Sequence, residues 1–115
     1  MGEVETMARY ILYGLSNCTD PAREDEFIEW YRNTRQADVL KMPYVRSVRL
    51  CKLKNFRRYQ GQPQFLAIYE IESDDIGKDS LEIQSYVNKL NETRGTTLFK
   101  LVSGGYYSVI NYHSK

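Results

Sequence analysis

Hydrophobic residues change their spacing several times along this chain, and each change marks an element. From Ala8 to Ser16 bulky side chains fall on both parities, Tyr10 and Leu12 on one and Ile11, Tyr13 and Leu15 on the other. Such a run reads as a β-strand largely covered on both faces. Asn17-Cys18-Thr19-Asp20-Pro21 ends it. Asp20 as N-cap and Pro21 in the first turn predict a helix start. Helical spacing then runs to about Lys41, and Pro43 stops it, because the residue before a proline is driven out of the helical region. Alternation resumes from Tyr44 to Leu53 as a second strand, with Val45, Ser47, Arg49, Cys51 and Leu53 on one face. Residues 54–63 are polar and turn-rich and predict a long hairpin loop. Gln64 to Glu72 predicts a third strand, with Phe65, Ala67, Tyr69 and Ile71 on one side and Leu66 and Ile68 on the other. After Asp74-Asp75 a second helix is expected from about Ile76 to Arg94, with Leu81, Ile83, Tyr86, Val87 and Leu90 as its apolar positions and Gly95 as C-cap. A fourth strand is expected from Tyr106 to Tyr112, after a flexible Ser103-Gly104-Gly105.

Residues 1–7 read as a disordered lead-in and residues 8–115 as one domain. The order strand, helix, strand, strand, helix, strand is the ferredoxin-like βαββαβ pattern of the α+β class. Right-handed crossovers make it a four-stranded antiparallel sheet with both helices on one face. The other face is then bare, yet the first and third strands carry apolar residues there. A bare apolar sheet face is an association surface, so a homodimer through the open sheet face is expected.

The first helix contains an anomaly. Phe27, Trp30 and Tyr31 begin an inward stripe, and continuing it by threes and fours lands on Thr34, Arg35 and Asp38. A charge directed at a core is costly unless it is paired or faces a wet hole. Arg35 and Asp38 stand three apart on one helix, so a structural ion pair between them is one reading. The other is a ligand site with Arg35 as anion anchor and Asp38 as base. Trp30, Tyr31 and Thr34 would line that site, and Tyr69 and Tyr13 would add phenols from the strands, with Tyr107 a further possibility of the same kind.

Composition narrows the function without naming it. The chain has 115 residues, 42% of them hydrophobic and 27% charged, the profile of an ordinary globular domain. A net charge of +1 provides no field for holding a polyanion. Lys52, Lys54, Arg57 and Arg58 with Phe56 and Tyr59 form a basic, aromatic hairpin, but the third strand lacks the aromatic signature of an RNA-recognition module. No nucleic acid partner is expected. Cys18 and Cys51 have no zinc spacing and the only histidine is His113, near the end of the chain, so neither a metal site nor an axial haem ligand is expected. No stretch approaches the ~20 apolar residues of a membrane span. The acidic start Met1-Gly2-Glu3-Val4-Glu5 lacks the pattern of a signal peptide, so a cytoplasmic protein with reduced thiols is expected.

Several runs share a family pattern: Asp20 to Phe27, Glu29-Trp30-Tyr31, Asp38-Val39-Leu40, Pro43, Val45, Arg49, and Phe65-Leu66-Ala67-Ile68-Tyr69-Glu70-Ile71. Over about residues 8 to 112 the chain resembles the EthD-like proteins of the dimeric α/β-barrel group. The resemblance implies a ferredoxin-like fold with a barrel formed by two protomers, and a small-molecule pocket in each. It implies cofactor-independent lyase, isomerase or cyclase chemistry on an aromatic or polyketide-like ligand, with no cofactor. A non-enzymatic ligand-binding or stress-associated protein of the same fold is the alternative, and a cofactor-free monooxygenase is a further one. In the monooxygenase reading, Asn17, just past the first strand, would be the polar group near oxygen; as a turn residue it has a simpler account. The family's helix histidine is replaced here by Arg35, and the proline that often follows by Ala37. Histidine exchanges protons near neutral pH and arginine does not, so this position is equipped to hold a carboxylate, phenolate or enolate.

Overall fold

Among the described residues, four strands and two helices arise where the hydrophobic pattern changes period. In the computed structural model, which describes residues 8–54 and 62–115, strand β1 spans Ala8–Cys18, β2 Val45–Lys52, β3 Phe65–Ser73 and β4 Phe99–Ser108. The expected lead-in at 1–7 and most of the expected hairpin loop lie outside the described residues. The strands form one antiparallel sheet in the order β2-β3-β1-β4, with β1 and β3 in the centre. This is the ferredoxin-like arrangement. Within one chain the sheet stays open and does not close into a barrel.

Helix α1 covers residues 21–39 and changes its winding along the way. A 3-10 turn (Pro21–Arg23) leads into an α segment (Glu24–Trp30), a π segment (Tyr31–Gln36) and a last α turn (Ala37–Val39). Asp20 caps it, its Oδ1 accepting the Ala22 N–H at 3.0 Å. Glu24, Asp25 and Glu26 then place negative charge at the positive end of the helix dipole. Helix α2 is Ile76–Arg94, capped by Asp75, whose side chain accepts the Lys78 N–H at 3.1 Å.

Both helices pack on one face of the sheet. The core combines Phe27, Tyr31 and Val39 of α1, Phe65, Ala67, Tyr69 and Ile71 of β3, and Ile83 and Leu90 of α2. Phe27 is fully buried and meets Phe65 at 4.9 Å between ring centroids and Tyr31 edge-on at 5.7 Å. Truncating a phenylalanine in such a place typically costs about 3–5 kcal/mol. On the opposite face the register puts Ile11, Tyr13 and Leu15 of β1 beside Leu66 and Ile68 of β3 and Tyr107 of β4.

Three expectations are corrected. The fourth strand begins at Phe99 and ends at Ser108, so Ser103-Gly104-Gly105 is paired strand and not a flexible lead-in. The glycines are there for close approach: a Cβ on Gly104 would stand 2.8 Å from the Tyr13 carbonyl oxygen. In β2 a register shift between Val45 and Ser47 breaks the simple alternation. Val45 therefore joins Val48 and Leu50 on the helix side, as their pairing with Ile71, Tyr69 and Ala67 requires. Leu81 is 72% exposed. It stands two residues before Ile83 and so points away from the stripe through Ile76, Ile83 and Leu90. Asp79 takes the inward place, its carboxylate accepting the Ser73 hydroxyl at 2.5 Å. Gly95 is the C-cap of α2 as expected, in an extended conformation (φ −84°, ψ 176°).

Two glycine substitutions separate these roles. Gly104→Ala should lower the free energy of unfolding in urea by about 1–3 kcal/mol, because the neighbour is backbone and cannot turn aside. Gly77→Ala, whose Cβ would meet nothing closer than Asp75 Oδ1 at 3.6 Å, should raise it by about 0.4–1 kcal/mol by restricting the unfolded chain. Equal effects of the two would contradict the close-approach account of Gly104.

Candidate functional site

The π segment of α1 carries the polar interruption. A π turn closes hydrogen bonds one residue further along than an α turn and frequently marks functional sites. Here it holds Tyr31, Thr34 and Arg35. Arg35 is only 4% exposed. Its guanidinium lies 5.0 Å over the Trp30 ring and 5.5 Å over the Phe99 ring. Its Nη2 donates to Asn91 Oδ1 of α2 at 2.6 Å. Stacked aromatic faces hold a desolvated cation with about 2 kcal/mol each at best. Among the described residues no carboxylate comes within ion-pair distance of it.

Arg35 and Asp38 are near in sequence yet hold different partners. Asp38 Oδ2 accepts Arg94 Nε at 2.5 Å and its Oδ1 lies 3.6 Å from Lys41 Nζ. The backbone carbonyl of Asp38 accepts the Tyr86 hydroxyl at 2.9 Å, and Trp30 Nε1 donates to the Arg94 carbonyl at 3.0 Å. These bonds tie the end of α1 to the end of α2. An ion pair between Arg35 and Asp38 is thus not formed. Gly95 contributes to the same junction, since a Cβ there would lie 2.5 Å from the Asn91 carbonyl oxygen.

Arg35 borders a cavity of about 370 Å³ between the two helices and the sheet. Its polar lining includes Tyr31, Arg35, Tyr69, Gln84, Asn91 and Tyr106, and its apolar walls include Leu12, Val39, Val87 and Phe99. The Tyr31 and Tyr69 hydroxyls meet at 2.9 Å. Burial pushes both phenols above their ordinary range. Burial raises Tyr106 as well.

The expected site residues divide as follows. Arg35, Tyr31 and Tyr69 meet at the cavity. Trp30 lies outside the lining and supports Arg35 from behind by stacking. Thr34 is half-buried in the π segment and does not line the cavity, nor does Asp38. Tyr13 borders the cavity, but its ring packs on Tyr107 at 5.4 Å, and the register sets both on the outer face of the sheet. Asn91, Gln84, Phe99 and Tyr106 line the cavity and were not expected; Gln84 and Asn91 are exposed positions next to the buried Ile83 and Leu90 of α2, and Phe99 lies in the stretch by which β4 starts earlier. Among the described residues, no three His, Cys, Asp or Glu side chains gather as a metal ion would need, and no helix is long and apolar enough to cross a membrane.

The phenols set an alkaline limit. An unfolded tyrosine ionises near 10.0, whereas folded Tyr31 and Tyr69 retain their protons above that. The native state then binds more protons than the unfolded state, so the stability from these groups is intact below pH 10 and is lost as pH rises beyond it. Resistance of the wild type to urea should fall steeply above pH 10, and Tyr31→Phe should flatten that slope. An unchanged slope would show that the pair titrates normally.

No family model matches the chain, and no curated protein matches it. Solved structures do. A dimeric ferredoxin-like protein from an uncultured marine organism superposes with a TM-score of 0.64 at 14% identity, covering 93% of this chain and 99% of its own. A monooxygenase candidate from Shewanella loihica PV-4 gives 0.63 at 13% identity, covering 94% and 100%. An EthD family protein from Bacillus halodurans gives 0.52 at 14% identity, covering 86% and 97%. Identities this low speak for the fold alone, and that fold is the one found in EthD-like dimeric α/β-barrel proteins.

Proposed function

We propose that the cavity binds a small aromatic or polyketide-like molecule carrying an anionic group, with Arg35 as the anion anchor. One observation carries this reading: a buried guanidinium borders a cavity and has only a neutral amide as its hydrogen-bonding partner among the described residues. A permanent charge so placed is stabilised further by any anion that enters. A volume of about 370 Å³ suits a ligand of one or two rings. Apolar walls exclude water and so strengthen the attraction.

Bound to an enolising substrate, Arg35 would stabilise negative charge as it develops on oxygen, which serves cofactor-free lyase, isomerase or cyclase chemistry. Asp38 is engaged by Arg94 and lies off the cavity, so this reading gives it a positioning role rather than that of a base. The same geometry also serves a non-enzymatic binding protein, and turnover separates the two. Association of two protomers through Ile11, Leu15, Leu66 and Ile68 would cover the apolar outer face, as the dimeric structural neighbours suggest. This reading keeps the protein in the cytoplasm.

Benzoate and its neutral counterpart benzamide test the anchor. Benzoate should raise the melting temperature of the wild type much more than benzamide does. Arg35→Gln should abolish the benzoate effect, a loss of roughly 100-fold in affinity for a truncated charged contact. Normal benzoate binding by Arg35→Gln would refute the anchor. Sedimentation at micromolar concentration should give twice the mass of one chain.

A further inference from the structure

The Tyr31–Tyr69 pair has a property that the anchor alone does not supply. Two phenols own two protons, and one hydrogen bond between them uses one. The second proton remains to be donated. Tyr69 is the more open of the two, 8% exposed against 3% for Tyr31, and both line the cavity. Either hydroxyl can donate in the pair; when the deeper Tyr31 donates to Tyr69, the proton left over belongs to the more open Tyr69. A phenol that accepts a hydrogen bond on its oxygen becomes a better donor through its own O–H.

We propose that Tyr69, polarised by Tyr31, donates to an oxygen on the ligand ring, so that Tyr69 and Arg35 together select phenols and enols in their ionised form. This rests on the reading of the cavity as an anion site. The ligand's proton leaves to bulk water, because none of the described lining residues can take it. The titratable groups on the lining are Tyr31 and Arg35 from α1, Tyr69 from β3, Tyr13 from β1 and Tyr106 from β4; β2 contributes Val45, and α2 contributes neutral Gln84 and Asn91. Asp38 and Arg94, the flanking charges on the two helices, bind each other. The cavity therefore presents one fixed positive charge and hydrogen-bond donors, with no carboxylate on the described lining. Such a lining favours a phenolate over its phenol, as oxyanion holes do.

4-Nitrophenol reports its own ionisation by colour, and nitrobenzene is its neutral match. With wild-type protein in excess, the midpoint of the nitrophenol colour change should fall by about one pH unit or more, a tenfold preference for the phenolate. Tyr69→Phe should cancel most of that shift while nitrobenzene binds as before. If nitrophenol binds with its midpoint unmoved or raised, the selection of ionised rings is wrong and the pocket reading survives. If Tyr69→Phe leaves the shift intact, Tyr69 is not the donor. If neither nitrophenol nor nitrobenzene binds the wild type, the pocket reading fails, and this inference fails with it.

Discussion

A guanidinium cannot discard its charge, so placing Arg35 inside the protein constrains everything around it. Two aromatic faces, Trp30 and Phe99, lie against the plane of the cation, and Asn91 takes one of its protons. Each partner comes from a different element: Trp30 from the end of the α segment of α1, Phe99 from the start of β4 and Asn91 from the last turns of α2. The charge therefore draws three elements to one point. The junction of Asp38, Arg94, Tyr86 and Trp30 then holds the two helix ends together. Asp38 is buried with its partner half-exposed, so the pair keeps a carboxylate satisfied rather than supplying much stability of its own.

Beside this cation the protein places groups that stay neutral. Burial keeps Tyr31 and Tyr69 protonated, and their mutual bond consumes one of the two protons. The consequence is a concave surface of one sign. Had Asp38 turned toward Arg35 as their spacing permits, the described lining would be electrically balanced and without attraction for an anion. The separation of two residues that stand three apart thus decides what the cavity can hold.

Much of the fold could be read in advance because period and punctuation agree. Asp20-Pro21 marks the start of α1, and the apolar run of β3 has few other interpretations. The errors fall where local signals mislead for a physical reason. Ser103-Gly104-Gly105 looks like a turn, yet the glycines permit close contact between paired strands. A bulge in β2 reverses the side on which Val45 lies, and no residue type announces it. The candidate site was legible as a position, since Arg35 breaks an apolar stripe. Its partners were not, because a π turn alters the phase after Trp30 and because Asn91 belongs to a helix far away in sequence. Tyr13 and Tyr69 carry the same side chain on neighbouring strands, but strand parity sends one ring outward and the other to the cavity.

Part of the cavity boundary is bare backbone, where Gly14 of β1 faces Gly104 of β4. The two glycines are under different constraints. Gly104 is held by the carbonyl of Tyr13, whereas a methyl on Gly14 would meet only Leu101 Cδ1 at an ordinary 3.6 Å. A side chain at position 14 would occupy ligand space at little expense to the sheet. In evolutionary terms the shape of the binding volume is separable from the fold that encloses it. Under the proposed ligand-binding role, a substitution at Gly14 would reshape the bound volume, whereas one at Gly104 would disturb the strand pairing that encloses it.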